Sequence, residues 1–451
     1  MRSIRVAVQS VLVLAAVVPA AAQRLPLAGD TSWVARSGLY EVFVRDFSPE
    51  GNLDGVRAGL DRIQAAGADV VWLMPIFPVG ELNRKGTLGS PYSVRDYRAV
   101  NPAFGSAADF RALVEAAHAR GLKVILDWVA NHTSWDNVWV KEHPDFYVRD
   151  PGGGLTVPRD DKGNLTDWTD VAQLDYGNAA MRREMIAVLK FWLQEYGIDG
   201  YRFDVAGFIP EAFWREAIPE LRAAVPRPIM VLAEWGDLQM SGYGFDLTYA
   251  WDSYARLKTA WKGGPAGAVV TAELADMAAM PPGGMRLRFS TNHDETAWDA
   301  PPVTLFGGPT GARAAFVAMA LMPGRPLLYN GQEIELPRKL ALFERETIPW
   351  NRPSAGRVRS FYSRVMDLAR RDSAFLTGDF KPAVTSAPND IIAYTRADVL
   401  VLVNIRPGAR RITVTGFPVT GSRDLLTERV MSASRVTLPA HGVLVLRRPA
   451  P

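Results

Sequence analysis

Charged side chains in this chain stand directly after short apolar runs, at the points where strands would end. In "GIDGYRFDVA", residues 197–206, Arg202 and Asp204 are two positions apart in an extended segment, so their side chains point to the same face. Ionisable side chains also follow three other apolar runs that are predicted strands: His132, Glu234, His293 and Asp294. Three acids, one arginine and two histidines therefore come from the ends of four predicted strands.

The carboxyl groups suit the cleavage of a glycosidic bond. An adjacent cation lowers the pKa of a carboxyl group, so we expect Arg202 to keep Asp204 ionised, as a nucleophile requires. The apolar context "VLAEW" predicts a raised pKa for Glu234, as a general acid requires. Two carboxyl groups whose pKa values are driven apart are the machinery of glycoside hydrolysis.

A metal-dependent hydrolase is the competing interpretation, with His132, His293 and carboxylates as ligands. Zinc sites commonly take histidines that are closely spaced on one element. These two histidines lie far apart in the chain, and no HxH or HExxH motif is present. The spacing favours the chemistry of two carboxylates.

The scaffold that would hold these groups follows from the alternation of apolar runs with amphipathic segments, such as "LDGVRAGLDRIQAAG" at 53–67. Such alternation indicates a parallel sheet, and eight units over roughly 300 residues favour a closed (β/α)₈ barrel. In that barrel the active site lies at the carboxyl ends of the strands, where the charged groups fall. The predicted strands are residues 39–46, 69–75, 122–129, 199–205, 228–234, 244–250, 285–291 and 325–330.

The predicted fold class is therefore α/β, a (β/α)₈ TIM barrel with two additions. A long stretch rich in Asp, Gly, Trp and Pro after the third strand predicts a short excursion domain. Short strands separated by turn residues predict a C-terminal antiparallel β domain. The predicted boundaries are residues 23–130 and 179–376 for the barrel, 131–178 for the excursion domain and 377–451 for the β domain.

Residues 1–22 combine Arg2 and Arg5 with an apolar run and a stretch of small residues, which predicts a signal peptide cleaved near Ala22–Gln23. An uncleaved membrane anchor is the alternative, but the run is near the short end for a spanning helix. Cys is absent, so stability would depend on the core rather than on disulfides. We expect a periplasmic or secreted protein with no membrane contact beyond the signal peptide. The net charge of +3 without a basic cluster argues against a nucleic-acid partner.

Four motifs carry a family resemblance. In chain order, "DWVANH", "GIDGYRFDVA", "VLAEW" and "FSTNHDE" resemble the conserved regions of the α-amylase family of retaining glycoside hydrolases, glycoside hydrolase family 13. The stretch "SPYSVRDYRAVNPAFGSAADFRALVEAAHARG" is similar to the segment that this family places between strands 2 and 3. One motif alone is modest support, whereas four in order are specific. The resemblance extends from about residue 39 to the end of the chain.

The resemblance implies a role for each matching residue. Asp204 matches the nucleophile, Glu234 the acid/base, and Asp294 the third carboxylate, which favours a distorted sugar ring. The residues implied to bind substrate are Tyr92, His132, Arg202 and His293.

Many members of the family hold a structural calcium ion, and this chain departs from their pattern. Asn131 is present, but Gln173 stands where an Asp is expected, and Gly207 and Phe208 replace a Lys–His pair. We therefore assign no metal ligands and expect no cofactor for the chemistry, while the sequence leaves a structural calcium ion possible but without support. The missing Lys also removes a contact on the leaving-group side.

The activity implied is retaining hydrolysis of α-glucosidic bonds in starch-derived glucans or maltodextrins, with α-1,4 as the expected linkage and an α-glucan as the partner. A transglycosylase with the same carboxylates is the first alternative. A catalytically inactive glycan-binding relative is the second, although such relatives typically lack a carboxylate that this chain retains. The sequence leaves chain length, endo or exo action and oligomeric state open.

Overall fold

The computed structural model describes residues 33–449, and a closed barrel of eight parallel strands forms its centre. Most barrel strands are short, apolar and buried along their whole length, as parallel strands enclosed by helices are. The first ten strands are β1 (Leu39–Val42), β2 (Val70–Leu73), β3 (Lys123–Trp128), β4 (His132–Ser134), β5 (Val171–Gln173), β6 (Gly200–Phe203), β7 (Met230–Ala233), β8 (Leu247–Tyr249), β9 (Met285–Arg288) and β10 (Arg325–Tyr329). The ring runs β1–β2–β3–β6–β7–β8–β9–β10 and closes where β10 pairs with β1, which confirms the predicted barrel.

Helices surround the barrel and connect its strands. The longest helices are amphipathic, and each buries its apolar face against the sheet. The helices are α1 (Val44–Phe47), α2 (Leu53–Ala58), α3 (Leu60–Ala65), α4 (Ala107–Ala119), α5 (Val138–Glu142), α6 (Ala179–Glu195), α7 (Glu211–Ala223), α8 (Gln239–Gly242), α9 (Trp251–Trp261), α10 (Gly267–Ala279), α11 (Pro302–Leu305), α12 (Pro309–Ala320), α13 (Ala355–Arg371) and α14 (Ser373–Thr377).

Two local features differ from the pattern read in the sequence. The segment 53–67 is two helices, α2 and α3, which meet at Gly59. A Cβ at Gly59 would lie 2.3 Å from the Phe47 ring, so the close approach of that ring requires glycine where the helix breaks. The first strand ends at Val42 rather than at residue 46, because the Phe43 N–H donates to Asn330 Oδ1 instead of extending the ladder.

Two additions flank the barrel. After β3, strands β4 and β5 pair antiparallel within the excursion segment and place His132 opposite Gln173. The C-terminal part is antiparallel, with a five-stranded sheet in the order β11–β13–β14–β19–β17 and two short pairs, β12–β16 and β15–β18. Its strands are β11 (Phe380–Pro382), β12 (Val384–Thr385), β13 (Ile391–Arg396), β14 (Val399–Asn404), β15 (Arg410–Ile412), β16 (Val414–Thr415), β17 (Arg423–Asp424), β18 (Val436–Leu438) and β19 (Val443–Arg447).

Side chains that alternate between the two faces of β14 connect the C-terminal sheet to the barrel core. Val401 and Val403 belong to the core that includes the barrel, whereas Leu400 and Leu402 point to a second, smaller apolar cluster on the opposite face. One face of the C-terminal sheet therefore packs towards the barrel.

No helix within residues 33–449 has both the length and the apolar character needed to cross a membrane. The predicted signal peptide, residues 1–22, lies outside the described residues and stays a prediction.

Candidate active site

The residues predicted from the sequence meet at one end of the barrel, beyond the carboxyl ends of its strands. Asp204 follows β6, Glu234 follows β7 and Asp294 follows β9. All three line a cavity of about 490 Å³. The predicted binding residues that share its wall are Tyr92, His132 and His293. Arg202, in β6, lies beneath them and is fully buried. These side chains can therefore act on a single bound molecule.

The guanidinium of Arg202 holds three carboxylates together. Nη1 donates to Asp127 Oδ1 at 2.8 Å and to Asp204 Oδ1 at 3.0 Å. Nη2 lies 2.6 Å from Glu234 Oε1. The indole of Trp72 packs 5.3 Å from the guanidinium carbon. Since the cation is buried, these carboxylates supply much of the charge that balances it.

The pKa values of Asp204 and Glu234 are both raised, which the sequence did not predict for Asp204. Burial raises the pKa of Asp204 to about 6, although the charge of Arg202 acts to lower it. Burial also raises the pKa of Glu234 well above its ordinary value, against Arg202, and the charges of Asp204 and Asp294 raise it further. Arg202 contacts both groups and therefore lowers both pKa values. Burial and the neighbouring carboxylates, more than Arg202, determine which of the two pKa values is higher. When the pair shares one proton, that proton belongs on Glu234.

Val205 fixes the orientation of Glu234. Its backbone is left-handed, with φ 37° and ψ 47°, which is rare for a β-branched residue and costs free energy. This conformation directs the Val205 N–H to Glu234 Oε2 at 2.7 Å. The Glu234 carboxyl group is therefore contacted at both oxygens, by Arg202 at Oε1 and by the Val205 N–H at Oε2.

Tyr92 joins Asp127 to His293. Its hydroxyl donates to Asp127 Oδ2 at 3.0 Å and lies 2.8 Å from His293 Nε2, and its ring stacks on the imidazole at 5.4 Å. Trp72 Nε1 also donates to Asp127 Oδ2, at 3.1 Å. Asp127 thus organises Tyr92, Trp72 and Arg202 around the cavity floor. It was not predicted as a site residue, although its place at the end of "LKVILDWV" was a signal.

Glu41, in β1, is the second functional residue that the sequence reasoning missed. Its Oε1 accepts a hydrogen bond from His293 Nδ1, and His293 Nε2 lies 3.3 Å from Asp294 Oδ2. Burial lowers the pKa of His293, but the charges of Asp294 and Glu41 outweigh burial and raise it to about 9. His293 is therefore an imidazolium at neutral pH, and both of its N–H groups donate. A lone acid inside the apolar run "LYEVFVRD" was the available signal.

His132 has the opposite charge state. Burial lowers its pKa to about 3, so the ring is neutral at neutral pH. Its edge meets Trp168 with ring centres 5.5 Å apart. A neutral imidazole can hydrogen-bond a sugar hydroxyl without adding charge to the cavity.

The residues at the expected calcium position do not fit that ion. Asn131 is buried next to His132, and Gln173 Oε1 is buried without a hydrogen-bond partner. Calcium takes six to eight oxygen ligands, usually with carboxylates among them, and these two amides supply none. Within residues 33–449, no three His, Cys, Asp or Glu side chains are grouped so that they could hold a metal ion.

Aromatic rings occupy the place of the missing Lys–His pair. Phe208 stacks on Trp168 with centres 5.9 Å apart and meets Trp235, the residue after Glu234, at 5.4 Å. A Cβ at Gly207 would lie 2.0 Å from the Trp235 ring. Gly207 thus leaves room for Trp235 beside Glu234.

Comparison with known proteins agrees with this geometry. The family model described as "Alpha amylase, catalytic domain" matches residues 28–235. The crystal structure of an α-amylase from Lactobacillus plantarum superimposes with a TM-score of 0.80 at 32% identity, covering 92% of this chain and 99% of that one. The chain belongs to the α-amylase family.

Two further members of the α-amylase family show similar relationships. A noncanonic maltogenic α-amylase from Thermotoga neapolitana has a TM-score of 0.80 at 28% identity, covering 93% of this chain and 100% of that one. An α-amylase from Haloarcula japonica is 28% identical over 426 residues, which cover 89% of this chain. The matched region spans 60% of the length of that archaeal relative.

Proposed function

We propose that this protein hydrolyses α-glucosidic bonds of starch-derived glucans or maltodextrins with retention of configuration, and that α-1,4 is the linkage cleaved. The observation that carries the proposal is the bridging of Asp204 and Glu234 by the two terminal nitrogens of Arg202, beside the cavity that both carboxylates line. Retaining enzymes hold their two carboxyl groups about 5–5.5 Å apart, closer than inverting enzymes do. Contact with one guanidinium supports the shorter spacing.

The reaction proceeds by two displacements. An oxygen of the Asp204 carboxylate attacks the anomeric carbon while Glu234 donates its proton to the glycosidic oxygen, so the C–O bond breaks and the shortened glucan leaves as an alcohol. A glucosyl ester of Asp204 remains. Glu234, now ionised, takes a proton from water, the water oxygen bonds to the anomeric carbon, and the Asp204 carboxylate is released. Both groups return to their starting protonation states.

Charged and aromatic groups around the ring would stabilise the transition state. We assign Asp294 to accept hydrogen bonds from sugar hydroxyl groups, which strengthen as positive charge develops in the ring, and the His293 imidazolium to position the sugar by donating to a hydroxyl oxygen. His132 donates without charge, and Tyr92 presents an aromatic face to the sugar. Arg202 holds both carboxylates in place.

Transfer to a sugar acceptor is the second candidate, and the aromatic cluster of Trp168, Phe208 and Trp235 favours it. Trp168 lines the cavity that holds Glu234, and Phe208 packs against both Trp168 and Trp235. Aromatic faces bind the apolar faces of sugars. A sugar held there would compete with water for the ester. An inactive glycan-binding protein is disfavoured, because Asp204, Glu234 and Asp294 all line the cavity.

We also propose a partner, a location and a cofactor requirement for the reaction. An α-glucan is the proposed partner, in keeping with the α-amylases to which the chain is similar. The predicted signal peptide supports a periplasmic or secreted location. We propose that the chemistry requires no metal or other cofactor, since the side chains supply the nucleophile and the acid.

The test is a time course of products from maltoheptaose, β-cyclodextrin, soluble starch and an aryl α-glucoside, with wild type and Asp204→Asn compared. Shorter sugars of α configuration, absent with Asp204→Asn, support retaining hydrolysis and rank the substrates. Products longer than the starting sugar would favour transfer. No product from any of the four substrates would contradict the proposal.

A further inference from the structure

The segment after β2 leaves the barrel and returns to it as a closed loop. Val79 and Val94 form an antiparallel bridge at its base, and the Gly80 N–H donates to the Ser93 carbonyl at 2.8 Å. We call the residues between them, 81–92, the β2 loop. Because its base is fixed, the position of its outer part depends on contacts with the neighbouring segments.

Lys85 connects the β2 loop to the excursion segment that follows β3. Its Nζ lies 3.2 Å from Asp170 Oδ1 and donates to the Asp167 carbonyl at 3.2 Å. The Lys85 side chain is 30% exposed, whereas that of Asp170 is 5% exposed. A pair with one buried carboxylate is screened less than a pair on the surface, so it holds the two segments together more firmly. Both contacts come from one side chain, and a single substitution can remove them.

The other side of the β2 loop contacts the segment that follows β10. The Thr87 N–H donates to Glu344 Oε1 at 2.8 Å, and the Leu88 N–H donates to the Phe343 carbonyl at 3.0 Å. A Cβ at Gly86 would lie 2.6 Å from Phe343 Cβ, so the close approach of the two segments requires glycine there. Two backbone donors of the loop therefore attach this side.

A buried arginine strengthens this second attachment. Arg45 is 4% exposed, and its Nη1 donates to the carbonyls of Gly89 and Leu342, one in each segment. The second attachment thus uses several backbone groups, whereas the first uses the side chain of Lys85. We therefore expect the β2 loop to part from the excursion segment before it parts from the segment after β10.

Both attachments lie in the wall of the catalytic cavity. Lys85, Asp167 and Asp170 line the cavity at the first attachment, and Leu342 and Phe343 line it at the second. The wall is therefore continuous from the excursion segment, through the β2 loop, to the segment after β10. A glucan bound with one end in the cavity needs one exit, whereas a glucan bound by its interior needs two.

We propose that the ion pair of Lys85 with Asp170 is a latch that restricts the enzyme to the ends of glucan chains. While the latch is closed, the continuous wall blocks one of the two exits. When it opens, uninterrupted α-glucan chains enter as well. This inference rests on the proposed function and goes further, because it gives a residue outside the catalytic carboxylates a role in determining specificity.

The experiment compares kcat/KM for maltoheptaose and β-cyclodextrin, which contain the same number of glucose units, although only maltoheptaose has chain ends. For wild type we expect a much higher value for maltoheptaose. Lys85→Met removes the charge and keeps most of the aliphatic stem. In this variant the value for β-cyclodextrin should rise about tenfold, while that for maltoheptaose changes little. Asp170→Asn should act in the same way, and the double variant should add little to either single change, because both remove one interaction.

Ionic strength provides a second measurement, which needs no substitution. Added salt screens a partly exposed ion pair, so the ratio of the β-cyclodextrin value to the maltoheptaose value should rise with salt for wild type. In Lys85→Met the same ratio should not respond to salt.

Lys123→Met is the matched control. The Lys123 side chain is 35% exposed, and its Nζ lies 3.1 Å from Oδ1 of the buried Asp199. Lys123 begins β3, so this pair lies at the amino end of the strand, away from the cavity. The control should leave the ratio of the two values unchanged.

Three results would overturn the latch while the proposed function stands. They are a ratio that neither Lys85→Met nor salt changes, a wild type that cleaves both substrates equally well, and equal changes on both substrates in Lys85→Met, which indicate a structural effect. No product from either substrate with wild type would overturn the proposed function itself, and the latch with it.

Discussion

The guanidinium of Arg202 lies 2.6 Å from Glu234 Oε1. It also donates a hydrogen bond to the carboxylate of Asp204, two residues further along the chain. One buried cation thus serves both the nucleophile and the proton donor. It cannot by itself separate their pKa values, and its main effect is to keep two carboxylates close together in a cavity that would otherwise favour neutral acids.

Replacement of Arg202 by leucine should lower turnover by about 10³-fold or more, because the carboxylates lose their cation and a smaller fraction of Asp204 is ionised at neutral pH. The measurement is kcat on maltoheptaose, with circular dichroism to follow the fold. Arg202→Lys keeps the charge but not the planar fork, and should retain more activity than Arg202→Leu. Near-normal turnover in Arg202→Leu would refute this role.

The pH profile of kcat/KM should be bell-shaped. Activity should rise as pH increases through about 6, where Asp204 becomes ionised, and fall at higher pH as Glu234 loses the proton that burial helps it to retain. In Glu234→Gln the contribution of Glu234 to the alkaline limb should disappear, which leaves only the decline near pH 9 where His293 loses its proton. The loss of rate should be smaller for α-glucosyl fluoride, whose leaving group needs little protonation. An equal loss for the fluoride and for maltoheptaose would speak against Glu234 as the acid.

Glu41→Gln should lower the fraction of His293 that is protonated, because the anionic carboxylate that accepts its hydrogen bond becomes a neutral amide. We expect kcat to fall about 10- to 100-fold, the scale of one charge-assisted hydrogen bond. The pKa of His293, raised to about 9, should fall, so activity should decline at a lower alkaline pH. A raised histidine pKa stabilises the fold fully below about 6.5, and this stabilisation is lost as pH rises through about 9. Burial also raises the pKa of Glu41, so the variant should lose most stability near neutral pH, where Glu41 and His293 are both charged.

The control for Glu41→Gln is Glu184→Gln, in which a partly exposed carboxylate paired with Arg98 is altered. This change should leave kcat and the pH profile unchanged. If Glu41→Gln lowers stability without moving the alkaline limb, Glu41 supports the fold only.

Chelation should leave the melting temperature nearly unchanged, because the amides of Asn131 and Gln173 do not make a calcium site. Thermal unfolding with EDTA, and again after excess calcium is added, provides the measurement. A large decrease in the melting temperature that calcium restores would show that other oxygens hold the ion.

Much of the fold could be predicted because parallel strands are buried on both faces and therefore read as apolar runs. All eight barrel strands fall within the predicted strand segments, although β9 carries Arg286 and Arg288. The break at Gly59 could not be read, since it depends on the Phe47 ring, which approaches only in the folded protein. The meeting of Asp204, Glu234 and Asp294 in one cavity could be predicted because strand ends converge in a barrel. Glu41 was missed because its partner, His293, is 252 positions away.

Barrel closure by β1 and β10 has a consequence for the timing of synthesis. Leu39 pairs with Leu327, so a nascent chain that ends before β10 has no closed ring. Contacts at such sequence separation form slowly, after more local structure. The catalytic constellation therefore matures only once nearly three quarters of the polypeptide has left the ribosome. An enzyme built in this way can acquire activity only after β10 has joined the ring.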